Sequence, residues 1–291
     1  MFSNALNGWE VIFMVHAVPD CGFARSYIIA EKDGIVVVDV GSVAAAADVA
    51  AYIKDQPDMS LDMVRYIAAT HFHIDHIGGI GHFLARCPPT TKVLFHYMVR
   101  DYLKGERKLS LIRGWCAGLV PAAAVSFRYV KKLSHLYFEG PAGIPLPGIR
   151  NMVKLPYAQS RISYFGPGYE HSASPLKNSL PKQEEGHKHP LLTRYPLGFA
   201  QWEAIETPGH TEDSICFFNA SSEELISGDL IINMGKNETG KLNRFCWNKR
   251  AQVHSYESLC ASISAKTIYP GHGEVIRDKG NALLKIRAFK A

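Results

Sequence analysis

The segment Thr70-His71-Phe72-His73-Ile74-Asp75-His76-Ile77-Gly78-Gly79 puts four metal-capable side chains within six residues, directly behind the β-branched run Val64 to Thr70. With 13 His in 291 residues, the pattern His-x-His-x-Asp-His arises by chance about once in a thousand chains of this composition. Side chains alternate in direction along an extended segment, so His71 and His73 can grip one ion from one side. Asp75 and His76, at a turn, can reach a second. Imidazole together with carboxylate suits zinc, manganese or iron. Neither ion is complete with these residues, because a four- or five-coordinate site needs ligands from elsewhere and an open position for water. The chain must therefore fold so that distant segments return to the end of one strand.

Three later segments offer such ligands beside small residues that let the backbone bend. They are Thr207-Pro208-Gly209-His210-Thr211 after the run 201–206, Ser227-Gly228-Asp229-Leu230 after 224–228, and Tyr269-Pro270-Gly271-His272-Gly273 after 267–269. Taken singly, a His beside a Gly is more often a turn or core residue.

The elements around these segments read as an α/β chain. Residues 10–17, 24–31 and 35–40 are strand-like, and Lys32-Asp33-Gly34 predicts a hairpin between the last two. Ser42 is a plausible cap for a helix running to about Asp55. A short helix is predicted over 79–87 and a strand over 92–96. Helices follow over 97–106 and 121–134, and the β rhythm resumes with an antiparallel-looking series at 201–206, 213–219 and 224–228. A helix over 250–264, a strand at 267–269 and a terminal helix from 279 complete the reading. The segment 141–196, rich in Gly, Pro, Ser, Lys and Tyr, has few periodic runs and reads as part of a long insertion.

Composition excludes disordered and collagenous classes, since 47% of residues are hydrophobic and 20% charged. The longest apolar stretch, Ile35 to Ile53, is interrupted by Asp39, Gly41 and Asp48, so no membrane span is expected. The six cysteines have no close pair, and the first ten residues lack the basic flank of a signal peptide. A reducing, cytoplasmic setting is expected. Residues 98–195 carry 15 Lys and Arg against 6 Asp and Glu, a net of +9 in a chain whose total is +5.

The four ligand-bearing segments together resemble the metallo-β-lactamase superfamily. The matching residues are His71, His73, Asp75 and His76, then His210 in Gly-His-Thr, Asp229 in Gly-Asp-Leu and His272 in Pro-Gly-His-Gly; Asp39 in IVVVDVGS matches a further acidic motif. The resemblance covers residues 10–97 and 200–275. It implies an αββα sandwich of two mixed sheets flanked by helices, with two divalent metal ions at one edge, zinc first and manganese or iron as alternatives. By that resemblance His71, His73 and His210 hold one metal, Asp75, His76 and His272 the other, and Asp229 bridges. It also implies a single domain over 1–291, with 98–199 inserted as a lid or cap.

Two dications sharing a water bring its pKa to roughly 7 or below, making hydroxide available for attack on a carbonyl or phosphoryl centre. Asp75 is expected to orient that nucleophile or relay a proton, and Asp39 and Asp213 to fix imidazole tautomers. The leading expectation is a hydrolase of small, anionic esters, lactones or thioesters. A phosphodiesterase or nuclease is the first alternative, given the basic insertion with Trp115, Tyr129, Tyr137, Tyr164, Phe165 and Tyr169. The basic residues are spread out with no run above two, which favours a small-molecule partner over nucleic acid. A single-iron thiol or persulfide dioxygenase is the second alternative, while His73 disfavours the flavodiiron oxidoreductases, which carry Glu at that position. No membrane partner is expected, and a homodimer is left open. His187 and His189 read as loop residues in a polar stretch.

Overall fold

In the computed structural model the described residues are 14–19, 21–31, 34–107, 132–136, 157–166, 192–199, 201–235 and 239–289. Trp115, Tyr129, Tyr137, Tyr169, His187, His189, the turn residues Lys32 and Asp33, and nearly all of the helix expected over 121–134 lie outside them.

Two mixed sheets stack face to face. The first runs in the order β1 (Met14–Ala17), β2 (Tyr27–Glu31), β3 (Gly34–Val38), β4 (Val64–Ala68), β5 (Lys92–His96), β6 (Ile162–Phe165). Its first three strands are antiparallel and β3 to β6 parallel. The second contains β7 (Arg194–Pro196), β8 (Trp202–Glu206), β9 (Ile215–Asn219), β10 (Glu224–Asn233), β12 (Thr267–Gly273) and β13 (Ile276–Arg277), with β11 (Lys241–Leu242) paired to β10. The antiparallel series β8-β9-β10 follows the expected order.

The period-two pattern of each strand divides its side chains between two interiors. On β3, Val36 and Val38 face the second sheet, joining Trp202, Phe217 and Ile226, while Ile35 and Val37 face helices. The helices on that side are α1 (Val43–Asp55), α2 (Ile74–Ile77), α3 (Ile80–Leu84) and α4 (Met98–Lys104). On β9, Ile215 and Phe217 point between the sheets, whereas Cys216 and Phe218 pack towards α5 (Lys249–Ser262). Four layers result, helix-sheet-sheet-helix, in the αββα arrangement. Ser42 caps α1 by accepting from Ala45 N, and Asn248 caps α5 by accepting from Arg250 N and Ala251 N.

Three details depart from the sequence reading. The terminal helix is only a 3₁₀ turn, Ala282–Lys285, because the chain is then drawn into an extended bridge, with Leu242 N donating to Arg287 O. Strands β10 and β12 continue past Gly228 and Tyr269, since their parallel pairing resumes at Ile232↔His272 and Asn233↔Gly273. Within the span 98–199, Ile162–Phe165 forms β6 beside β5, and Arg194–Pro196 forms β7 beside β8. Among the described residues no helix is long and apolar enough to cross a membrane.

Candidate metal centre

The parallel strands β3 and β4 end side by side, and the chain behind each reaches the same rim of the sandwich. Asp39, just beyond β3, accepts from Thr70 N at 2.9 Å and from Thr70 Oγ1 at 2.8 Å, which fixes the start of the histidine segment. Asp39 holds a left-handed φ of +54°, a conformation that Asp tolerates better than most residues. The same carboxylate accepts from His76 Nδ1 at 2.7 Å. Having donated to Asp39, the Thr70 hydroxyl accepts from His71 Nδ1–H at 3.0 Å. His71 and His76 therefore both turn Nε2 lone pairs away from this network.

The remaining segments arrive from the second sheet and its loops. His210 lies behind β8 and donates Nδ1–H to the Phe245 carbonyl at 2.6 Å; His272, within β12, donates Nδ1–H to the Phe23 carbonyl at 2.8 Å. Asp229 sits in β10 where its register against β12 shifts, between Gly228 and Ile232. Gly271 permits the close approach of the strands: a Cβ there would lie 2.1 Å from Asp229 Oδ1.

Two groups form. His73 Nδ1 stands 3.0 Å from both His71 Nε2 and His210 Nε2. His272 Nε2 is 3.5 Å from Asp75 Oδ2, and His76 Nε2 is 3.9 Å from the same oxygen. Asp229 joins them, its Oδ2 3.3 Å from His210 Nε2 and 3.2 Å from His272 Nε2, and its Oδ1 3.4 Å from His76 Nε2. All seven residues named from the sequence thus meet, and Asp39 stands directly behind them.

These residues fit a cation. Donor atoms about 2.0–2.1 Å from a tetrahedral zinc lie about 3.3–3.4 Å apart, close to the spacings here. Among the described residues His76 Nε2 and Asp229 Oδ1 are buried without a hydrogen-bond partner, a cost that a bound cation removes. The triplets His71/His73/His210, His71/His76/Asp229 and Asp75/His76/His272 each bring one donor atom per residue within 4.8 Å of one another.

Burial, reinforced by the neighbouring histidines, holds the His71 and His73 pKa values well below the usual 6.5. Burial also lowers His210. At His76 burial is outweighed by Asp39, Asp75 and Asp229, which raise its pKa well above 6.5; at His272 it is outweighed chiefly by Asp229. Burial works against ionisation of Asp229, but His272, His210 and His76 draw its pKa well down. The result is one imidazole-rich pocket and one carboxylate-rich pocket sharing an ionised carboxylate.

Asp213 does not hold an imidazole. Its Oδ2 accepts from Phe72 N at 2.8 Å and so fixes the backbone between His71 and His73, because the loop behind His210 brings it to that amide instead. His16 pairs with Tyr52 on α1 at 3.1 Å and stays outside the cluster. Sequence reasoning missed Asn243, whose Nδ2 donates to Asp229 Oδ2 at 3.2 Å, and the carbonyls of Phe23 and Phe245. No local pattern marks them. The rings of Phe23 and Phe245 flank the site, centred 4.5 Å from His272 and 5.9 Å from His210.

Residues 19–94 match the family model described as "Metallo-beta-lactamase superfamily". A protein of Schizosaccharomyces pombe named "Probable hydroxyacylglutathione hydrolase" is 37% identical over 95 residues, 31% of this chain and 35% of that protein. An uncharacterized Bacillus subtilis protein, YobT, is 30% identical over 112 residues, 36% of this chain and 47% of its own. The chain thus spans between a third and a half of the length of these curated relatives. Among solved structures, a metallo-beta-lactamase from Pontibacter korlensis superposes with a TM-score of 0.51 at 15% identity, covering 90% of this chain and 85% of that one. The structure titled "Peroxy diiron species of chemotaxis sensor ODP" gives 0.50 at 14%, covering 92% and 85%. These likenesses concern the fold alone. The αββα sandwich, the matched segment and the His/Asp clusters at one rim are together similar to the metallo-beta-lactamase superfamily.

Proposed function

We propose that the protein is a dinuclear metal-dependent hydrolase acting at the carbonyl of a small ester, lactone or thioester. The observation that carries this reading is the double role of Asp229 Oδ2, within 3.3 Å of His210 Nε2 and 3.2 Å of His272 Nε2, joining two pockets through one carboxylate. His71, His73 and His210 would hold one ion and Asp75, His76 and His272 the other, most simply zinc. Such ions supply hydroxide at neutral pH and polarise the substrate's carbonyl oxygen.

The chain's own residues do the rest. Asp39 and Thr70 fix the tautomers of His76 and His71, and the carbonyls of Phe23 and Phe245 do the same for His272 and His210. Asp75, the most exposed of the three carboxylates around the site, is placed to orient a nucleophile and to carry a proton. The rings of Phe23 and Phe245 offer apolar walls to the acyl group. A thioester is the first substrate class to test, given the name of the fission-yeast relative.

The test is metal analysis of the purified protein coupled to ester, lactone, thioester and phosphodiester substrates. Two metals per chain with turnover in one carbonyl class is the expected result. The variant His73→Ala should abolish that turnover with the fold retained; near-wild-type rates in its metal-replete form would refute the assignment. Turnover of phosphodiesters alone moves the protein to the nuclease branch.

A further inference from the structure

Asn243 belongs to none of the ligand-bearing segments, yet it is only 6% exposed and its side chain is spent entirely on the metal centre. Its Oδ1 accepts from Phe245 N at 3.1 Å. A backbone amide is only a donor, so this contact fixes which end of the carboxamide is oxygen. The Nδ2 group then faces Asp229 Oδ2 at 3.2 Å. It also lies 3.4 Å from His210 Nδ1, but that nitrogen already donates its proton to Phe245 O at 2.6 Å and has no lone pair to offer. The donor capacity of the amide is thereby directed to the shared carboxylate.

The residue is itself held from two sides. Asn243 N donates to Leu230 O at 3.2 Å, next to Asp229, and Gln252 Nε2 on α5 donates to Asn243 O at 2.7 Å. The amide is thus braced against both the strand that carries Asp229 and the helix behind it. From this position it reaches two elements of the site at once. It holds the Asp229 carboxylate directly, and by tethering the Phe245 amide it anchors the residue whose carbonyl aims His210.

We propose that Asn243 is a positioning residue that orients the shared carboxylate Asp229 and, through Phe245, the imidazole of His210. A donor is required towards Asp229 and an acceptor towards Phe245 N, and a side-chain carboxamide supplies both in one rigid plane. Hydrogen-bonded groups behind metal ligands are worth about 10- to 100-fold in metal affinity. Asn243 stands behind two of the ligands, so its loss belongs in that range. This inference rests on the metal-centre reading above.

The test is titration of Co(II) into metal-free, full-length wild-type protein, Asn243→Ala and Asn243→Asp, read by the cobalt absorption spectrum and by calorimetry. Thermal melting of each metal-free form runs alongside. Expected are about 10- to 100-fold weaker binding and an altered cobalt spectrum in Asn243→Ala, with the metal-free melting curve still cooperative. Asn243→Asp retains the acceptor for Phe245 N but turns an acceptor towards Asp229, so its cobalt spectrum should also change; it serves if the alanine variant does not fold. Wild-type affinity together with a wild-type cobalt spectrum in either folded variant overturns the proposal. If the wild-type protein binds no Co(II), the metal-centre reading fails and this one with it.

Discussion

Replacing Asp39 by Asn exchanges a single oxygen for an NH2 group, and the hydrogen-bond network carries that change to His76 and His71, one in each of the proposed metal pockets. Asp39 Oδ1 accepts from Thr70 N, a contact an amide oxygen can keep. Its Oδ2 accepts from both Thr70 Oγ1 and His76 Nδ1, and an NH2 in that place can accept from neither. His76 Nδ1 must then accept, which moves its proton to Nε2 and closes the lone pair aimed at Asp229 and Asp75. The Thr70 hydroxyl, now accepting from the amide, turns its proton towards His71 Nδ1 and sets the same reversal there. Losing one charge-assisted bond of this kind costs about 1.5–3 kcal/mol, or about 10- to 150-fold in affinity at 1.4 kcal/mol per decade. Asn tolerates the left-handed backbone at this position, so the effect is not one of strain. The assay is metal titration of Asp39→Asn beside wild type, with melting curves of the metal-free forms as the control for folding. A change in affinity below about threefold would show that Asp39 does not set these tautomers.

Gly271→Ala sets a methyl group 2.1 Å from Asp229 Oδ1, so metal content after dialysis should fall at least tenfold, and full retention would contradict the packing described. Chelation of metal held at 1,000 times its Kd removes about 4 kcal/mol of stabilisation, so the melting temperature should drop by on the order of 10 °C and return on adding zinc; an unchanged melting curve after verified metal removal would refute a structural coupling. Glu206 Oε1 accepts from His96 Nε2 at 3.1 Å and Tyr195 Oη at 2.8 Å, tying β5 of one sheet to β7 and β8 of the other. Burial opposes its ionisation, but these hydrogen bonds outweigh that and hold its pKa below the usual 4.5. A depressed carboxylate contributes stability above pH 4.5 that is lost as the pH falls through its folded value. Glu206→Gln keeps the oxygen that accepts both bonds and loses only their charge assistance, so it should lose about 1 kcal/mol at neutral pH and show a shallower acid limb in chemical denaturation, and parallel pH curves for the two proteins would rule this out.

The histidine segment was legible because its four side chains are neighbours in the chain, and a strand end needs no tertiary information to display them. The strands β3, β8 and β9 were legible as short β-branched and apolar runs, a local property, whereas their division into two stacked sheets was implied only by the resemblance to a known family. His210, Asp229 and His272 were marked only by the small residues beside them and by their resemblance to a known pattern. The supporting groups were not legible at all. His272 takes its tautomer from the carbonyl of Phe23, 249 positions away, and any residue type can present a carbonyl. Asn243 looks like a loop residue until β10 and α5 are brought around it. The continuation of β10 and β12 was hidden for a related reason, since glycines that read as strand breaks are where two paired strands approach closely around a carboxylate. Sequence alone determined which side chains could bind a cation and the strand and helix runs that carry them, because both follow from residue type and spacing. Which proton each imidazole keeps, and which way the shared carboxylate turns, were decided only in the folded chain, because a hydrogen bond depends on where its partner lies in space.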